Sequence, residues 1–592
     1  MPDLRVEVVG AQGYPLDGFT VDGLTVTNSS GRPQDARVRV LVEVPNATDP
    51  WWLIPGAFYG ENRPIANDRL FPRFDAGEPA DDLTSSAWEF RADRAATPVV
   101  FVWAGPDRGG AALAAAETTD LGLTGIGFQL EGTVATIHLS FPFREFPVTY
   151  YGDGVPRAAE SATHHWMPGE THTLEIDVFE VEADRHAYAP ILRELHSASA
   201  PHAPLRPWVT VERAADLTAH GLLRWHYDPD PGVLLETRGF DRELSGADDR
   251  QAMHVGWISG IPWAYALLRH GLRTASTEEV DAATRVIDFV ASNLSPSGTF
   301  WGVWYREHGW SQSWTTIENG LHSRTLAEAT LFLHRANRLT PNPVWRDAVL
   351  SNLEAVVARQ RDDGNLGSVH DATTGEVLSW SGASGLLWIT ALVEAGYLAA
   401  AARAGEYYAR FVLGEFIHGA PEDVDLAPTS EDGYSAVMAY MALHRATGDA
   451  RWLDLARRAA DWMLTFRYSY DVAFDEQTML GQYDFGTRGA DQASPSNQHL
   501  HSYGLICTDD LIELSTALGD PHYAERAEET LACFRQFVAR QDGDFNAYKG
   551  MVSERFYQTS CFQPKGMMLT LSHAWSVGVL LLACEQTIAR TA

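Results

Sequence analysis

Gly448-Asp449-Ala450-Arg451-Trp452, running into Leu453-Asp454-Leu455-Ala456-Arg457-Arg458-Ala459-Ala460, is the stretch on which the fold turns. The same opening recurs. Gly519-Asp520-Pro521-His522-Tyr523 leads into Ala524-Glu525-Arg526-Ala527, and Pro341-Asn342-Pro343-Val344-Trp345 leads into Arg346-Asp347-Ala348-Val349. Each is a turn, then an aromatic, then a small or aliphatic residue four positions on, the spacing of one helix face. One helical unit written three times predicts an array of helical hairpins.

From about residue 209 two kinds of helix alternate. One is apolar on nearly every face, as in Ser384–Ala395 and His573–Ala583. Such a helix must be surrounded by protein. The other is amphipathic, as in the repeated openings. The periodicity places apolar helices near 249–270, 315–338, 382–402, 430–447, 497–518 and 571–589. Amphipathic ones fall near 209–225, 277–294, 342–361, 405–417, 450–467 and 520–540. Six of each predict an inner ring sheathed by an outer ring. Loops from outer to inner helices are long: 226–248, 295–314, 362–381, 418–429, 468–496 and 541–570. Loops from inner to outer are a few residues. The long loops all lie on one face, at the N-terminal ends of the inner helices, and long loops inside a compact domain are usually functional.

Upstream, residues 1–183 read as strands. Leu24–Asn28, Ala36–Val44, Val134–Ser140 and Thr171–Val178 alternate apolar and polar residues between Gly/Pro turns, which predicts an antiparallel β-sandwich. Residues 184–208 read as a linker helix and 209–592 as the helical catalytic domain.

At 592 residues the chain exceeds one ordinary core. A net charge of −33 argues against nucleic acid and against an anionic membrane surface as partners. The four cysteines form no Cys-x-x-Cys pair, so no zinc cluster, other metal or cofactor is expected. Met1-Pro2-Asp3-Leu4-Arg5 opens no signal peptide, and no apolar run of about 18 residues suggests a membrane span, so a cytoplasmic protein is expected. All but two of the 45 basic residues are Arg, a bias that a GC-rich genome explains; Lys549 and Lys565 share one late loop.

With this order of elements the chain resembles the six-hairpin glycosidases, in which a β-sandwich is followed by an (α/α)6 toroid. The sandwich-first order looks like bacterial glucoamylases, maltose phosphorylase and cellobiose phosphorylase. The resemblance implies a carbohydrate substrate and a pair of carboxylic acids at the toroid mouth. Toroids also carry polysaccharide lyases, commonly with the β domain last. In family 9-type cellulases a pair of Asp residues precedes the first inner helix, and Asp248-Asp249 looks similar. N-capping is the structural alternative for that pair.

Glycoside hydrolysis needs two carboxyl groups, one protonated and one ionised. Candidates cluster at inner-helix starts: Asp248, Asp249 or Glu318 as base, and Glu431, Asp432 or Glu554 as acid. Glu318 and His322 stand four apart, which predicts a shared helix face. Trp301, Trp304, Trp310 and Trp314 offer faces for sugar stacking; the alternative is that they wall the toroid. Arg238, Asp241, Arg242, Arg488 and Arg555 lie in the mouth loops, where Arg can hold an anionic sugar or phosphate or pair with nearby acids. Tyr434, Gln498, His499 and His501 complete the polar set, the two histidines standing too close in sequence to share a metal. In the sandwich, Tyr59, Asn62 and Arg63 sit in a loop expected to lean over the mouth.

The functional expectation is a glycoside hydrolase inverting at the anomeric carbon. Alternatives are a lyase on a uronate polymer, using Tyr503 or Tyr434 with His499, a cytosolic phosphorylase, and a non-enzymatic sugar-binding protein.

Overall fold

The computed structural model describes residues 3–64, 69–77, 81–200, 204–240, 249–424 and 426–591. The N-terminal part is a sandwich of two antiparallel sheets. One is built on Leu4–Val9, Gln34–Pro45, Val134–Phe141, Gly125–Glu131 and Ala87–Arg91; the other on Asp177–Val181, Arg108–Ala114, Val99–Gly105, Trp51–Ile54 and Phe58–Tyr59.

The second sheet is buried on both faces. Trp52, Ile54, Val100 and Val102 point into the sandwich core, whereas Trp51, Leu53, Val99 and Phe101 belong to the core of the helical domain. Successive strand residues face opposite ways, so a sheet packed on both sides reads as an unbroken apolar run. Arg94 adds a buried ion pair with Glu145 and donates to Gln498 Oε1 at 2.7 Å. Lys565 reaches across to Asp93 at 2.9 Å and Glu117 at 3.3 Å, which gives one of the two lysines its role.

After the connecting helix α1 (Tyr188–Ser199) the helices follow as α2 (Val211–Gly221), α3 (Ile261–Thr274), α4 (Thr277–Ala291), α5 (Ser323–Leu339) and α6 (Pro343–Arg359). Then come α7 (Leu386–Glu394), α8 (Leu398–Leu413), α9 (Ser430–Thr447), α10 (Ala450–Leu464), the one-turn α11 (Met479–Gln482), α12 (Thr508–Leu518), α13 (His522–Phe534) and α14 (Ala574–Thr591). Helices α3, α5, α7, α9, α12 and α14 form the inner ring, each packed against its neighbour, and α14 packs against both α3 and the first outer helix α2 to close the circle. The fold is therefore a β-sandwich followed by an (α/α)6 toroid.

The repeated opening has a local cause. Gly448 and Gly519 sit at φ +69° and +64°, ending α9 and α12 in the left-handed conformation that glycine adopts without strain. After Gly448, Asp449 caps the outer helix by accepting from Arg451 N, and Asn342 caps α6 by accepting from Val344 N. Trp345, Trp452 and Tyr523 are the buried aromatics that follow.

Two boundaries differ from the sequence reading. Helix α8 begins at Leu398 rather than near 405, because Gly396 (φ +89°) breaks an apolar stretch that shows no polar boundary. Several inner helices begin later than the apolar pattern, because the preceding residues form short strands. Thr237–Gly239 pairs with Leu571–His573, Ala252–His254 with Val303–Tyr305, Gly320–His322 with Val369–Asp371, and Asp491–Ser494 with Asn497–His501. No helix among the described residues is long and apolar enough to cross a membrane.

Candidate active site

Two of these strand pairs, through Thr237, Leu571 and His573 and through Tyr305, help line a cavity of about 450 Å³ at the N-terminal ends of the inner helices. Its carboxyl groups are Glu236, Asp423 and Glu554; its cations are Arg250 and Arg555; its aromatics are Trp257, Tyr305 and Trp314; His573 completes the polar lining.

Glu236 precedes the strand that pairs with Leu571–His573, and its side chain is fully enclosed. Burial pushes its carboxyl up to about 7, against the pull of His254 and Arg250. Its Oε2 accepts a long 3.5 Å bond from Arg250, and Oε1 has no partner among the described residues. Glu554 is the opposite case. Burial works against its charge, but the Arg555 Nε at 3.1 Å and nearby His573 hold it below its ordinary value. The neutral imidazole of His573 is pushed down to about 4 by burial, and its Nδ1 has no partner among the described residues.

Beneath these lies an ionic layer on α5, α9 and the fourth long loop. Glu422 accepts from His254 Nε2, from Thr325 Oγ1 at 2.9 Å and from Trp257 Nε1 at 3.2 Å. Burial opposes its charge, but His254 and these donors keep it well below the usual carboxylate range. Arg324 is sandwiched 4.0 Å over the Trp257 ring and 4.7 Å over Tyr503, paired with Glu431 and close to Glu328. Tyr503 donates to both Glu328 oxygens at 2.9 Å. Burial, with Asp423 nearby, lifts Glu431 to about 7 despite Arg324. Asp423 is open to the cavity, and enclosure by surrounding protein raises its carboxyl too, with Glu422 adding repulsion.

Of the residues singled out from sequence, Glu554, Arg555 and Trp314 line this cavity, and Glu431 and His322 lie in the layer below. Burial pushes His322 down to about 4, and its Nδ1 caps α5. Asp432 is consumed in a capping box: its oxygens accept from Ala420 N, Thr429 N and Thr429 Oγ1 at 2.7–2.9 Å. Asp249 is likewise taken up by Gly239 N at 2.6 Å and Arg238 at 3.1 Å. Glu318 is a correction: residues 318–322 are a turn and a strand, not a helix, so Glu318 and His322 share no helix face, and Glu318 is exposed outside the cavity lining. Asp241, Arg242 and Asp248 lie outside the described residues.

The remaining expectations resolve into scaffold contacts. Tyr59 stacks on Phe466 and shares a 2.7 Å hydrogen bond with Thr465, which seats the sandwich on the C-terminal end of α10 instead of over the mouth. Asn62 and Arg63 bond backbone carbonyls of their own loop. Trp304 packs edge-on against Phe289, and Trp301 packs against the main core. Arg488 joins Glu529 and the Ala200 carbonyl. Tyr434 donates to Asp491, His501 bonds Ser430, and Gln498 accepts from Arg94. His499 is buried against His501 and Tyr557 and held neutral by burial.

Glu236, Arg250, Tyr305 and His573 on the cavity, with Glu422, Asp423, His254, Trp257 and Arg324, are site groups not among the candidates singled out from sequence. Two signals existed: consecutive acids after Pro421 in a long loop, and Arg324 and Glu328 four apart in an otherwise apolar helix.

No protein-family model and no curated protein matches the sequence. Among solved structures the chain is similar to a polysaccharide lyase, at 11% identity over 98% of this chain and 92% of that one, with a TM-score of 0.49. It is similar to a D-mannose isomerase at 12% identity, over 64% of this chain and 97% of that one, TM-score 0.46. It is also similar to an unsaturated glucuronyl hydrolase from Bacillus sp. GL1, at 14% identity over 64% and 95%, TM-score 0.43. At such identities the chemistry has to be argued from this chain's own residues.

Proposed function

We propose that the protein is an enzyme acting on a carbohydrate, a glycoside hydrolase that cleaves a glycosidic bond with Glu236 as general acid and Glu554 as general base. The observation that carries this reading is the opposed ionisation of two carboxyl groups on one cavity, Glu236 raised to about 7 and Glu554 held below its ordinary value. Two titratable groups whose surroundings drive their ionisation apart mark an acid and a base. Trp257, Trp314 and Tyr305 supply the aromatic faces against which a sugar ring packs.

In the proposed step the protonated Glu236 gives its proton to the departing glycosidic oxygen. Glu554 takes a proton from a water that attacks the anomeric carbon from the opposite face. The C–O bond to the leaving sugar breaks as the C–O bond to water forms, so the products are a hemiacetal and an alcohol. Inversion requires the two carboxyl groups to stand about 6.5–9.5 Å apart so that this water fits between the sugar and the base.

The test is a reducing-end assay over a panel of oligosaccharides, with the first-formed anomer read by NMR. E236Q and E554Q are each expected to lower kcat by about 10²–10⁴-fold. If both variants keep wild-type kcat on a cleaved substrate, the assignment fails. Binding without turnover would instead favour a sugar-binding protein.

His573 supports a second reading. A neutral imidazole lining the cavity suits proton abstraction from a carbon next to a uronate carboxylate, with Arg250 and Arg555 holding that carboxylate. In that lyase reading Tyr434 and Tyr503 have no part, since their hydroxyls are bonded to Asp491 and Glu328. A product carrying a new C=C absorbance would select it over hydrolysis.

A further inference from the structure

The sandwich carries a second cluster that the sugar chemistry does not use. His164 lies on strand His164–Trp166, which pairs with the long strand Gln34–Pro45, and His172 lies on Thr171–Thr173, which pairs with Thr25–Asn28. Glu170 stands in the turn between them. The Nε2 atoms of His164 and His172 sit 2.9 and 2.8 Å from the same carboxylate oxygen, Glu170 Oε1. The three ligating atoms all lie within 4.8 Å of one another. The other carboxylate oxygen accepts from Met167 N at 2.6 Å, which fixes the orientation of the group. Both imidazoles stand edge-on to the Trp166 indole, at 5.4 and 5.1 Å, so their ring planes are set by packing.

We propose that His164, Glu170 and His172 bind a divalent cation of the zinc class, which ties together two strands that belong to different sheets. Zinc takes two imidazole nitrogens and a carboxylate oxygen at about 2.0–2.2 Å, and tetrahedral geometry then separates the donors by about 3.3 Å. The observed separations from Glu170 Oε1 need to open by only about 0.5 Å. The side chains are 20–25% exposed, so an ion can enter and a water can fill the fourth position. Nitrogen donors select zinc-like ions over magnesium or calcium, which take oxygen ligands. The orientation of Glu170 by Met167 N is the kind of outer support that ligating carboxylates have. The set carries no sequence signature because the turn Met167-Pro168-Gly169-Glu170 alone separates the two strands and His164 and His172 do not stand at a zinc-finger spacing.

The test uses the full chain, treated with chelator, desalted and titrated with ZnCl2 by calorimetry, with thermal midpoints measured in parallel. The wild type is expected to bind one tight equivalent and to melt higher with zinc. The H164N/H172N double variant is expected to lose both effects, and E170Q to bind roughly 10–100-fold more weakly. Circular dichroism checks that the double variant is folded; if it is not, E170Q decides. A wild type that takes up no tight equivalent, or an E170Q protein with unchanged zinc affinity, would overturn the proposal.

Discussion

Replacing Glu236 by Gln tests the electrostatics of the mouth without any substrate. The carboxyl titrates near 7 in the folded protein, against 4.5 for an ordinary glutamate. The fold therefore favours its neutral form. That preference is fully present below the unfolded value and is lost as pH rises through 7, where folding must accommodate a buried charge. At 1.36 kcal/mol per pH unit, the whole shift corresponds to about 3 kcal/mol. Between about pH 5 and about pH 8 the wild type loses about 2.5 kcal/mol through this group. The side-chain amide of E236Q cannot ionise, so the variant loses none of it. Unfolding entropy of roughly 2.1 cal/mol/K per residue converts this into about 2 °C for a chain of this length. Differential scanning calorimetry of both proteins at the two pH values reads the effect. The midpoint of E236Q relative to wild type is expected to rise by that amount at the higher pH. Glu431 and Asp432, also near 7, titrate in both proteins and cancel. An offset between the two proteins that is the same at both pH values would refute the reasoning, and with it the proton that the hydrolase mechanism needs.

Three further outcomes follow from the contacts. Y59F removes the bond to Thr465 and the acceptor of Gly56 N and is expected to cost about 1–3 kcal/mol in thermal stability while leaving KM unchanged, because Tyr59 serves the interface; a changed KM at unchanged stability would return it to the site. E145Q leaves the buried Arg94 without its carboxylate and is expected to destabilise by about 3–5 kcal/mol in calorimetry; a loss near zero would show that Gln498 and Ser560 suffice for the guanidinium. T429A breaks the capping box of α9 and is expected to cost about 1 kcal/mol; an unchanged midpoint would mean that Asp432 holds the helix start alone.

The toroid was legible because its signals are local. Gly448 and Gly519 end inner helices for a backbone reason, Asp449 and Asn342 start outer ones, and an all-apolar helix such as α7 can only be inside. Long loops on one face located the mouth. The sandwich was legible from alternation in its strands, but Trp51–Ile54 and Val99–Gly105 read as continuous apolar runs because one sheet serves two cores.

The candidate acids were harder. Glu431 and Asp432 are neighbours on one helix turn, yet one pairs with Arg324 beneath the cavity and the other accepts from the cap residue Thr429, through N and Oγ1, and from Ala420 N. Glu318 lost its helix to a strand that exists only because residues 369–371 pair with it. Glu422 finds His254, 168 positions away, and Arg324 finds Trp257 and Tyr503 from two other loops. The sequence by itself determined the ring, its order of inner and outer helices and the face on which the long loops gather, because periodicity and capping are set by residues a few positions apart. Only the tertiary structure decided which carboxyl groups burial drives toward the neutral form, which are spent on capping and which meet in the cavity, because ionisation depends on burial and on charges brought together from distant parts of the chain.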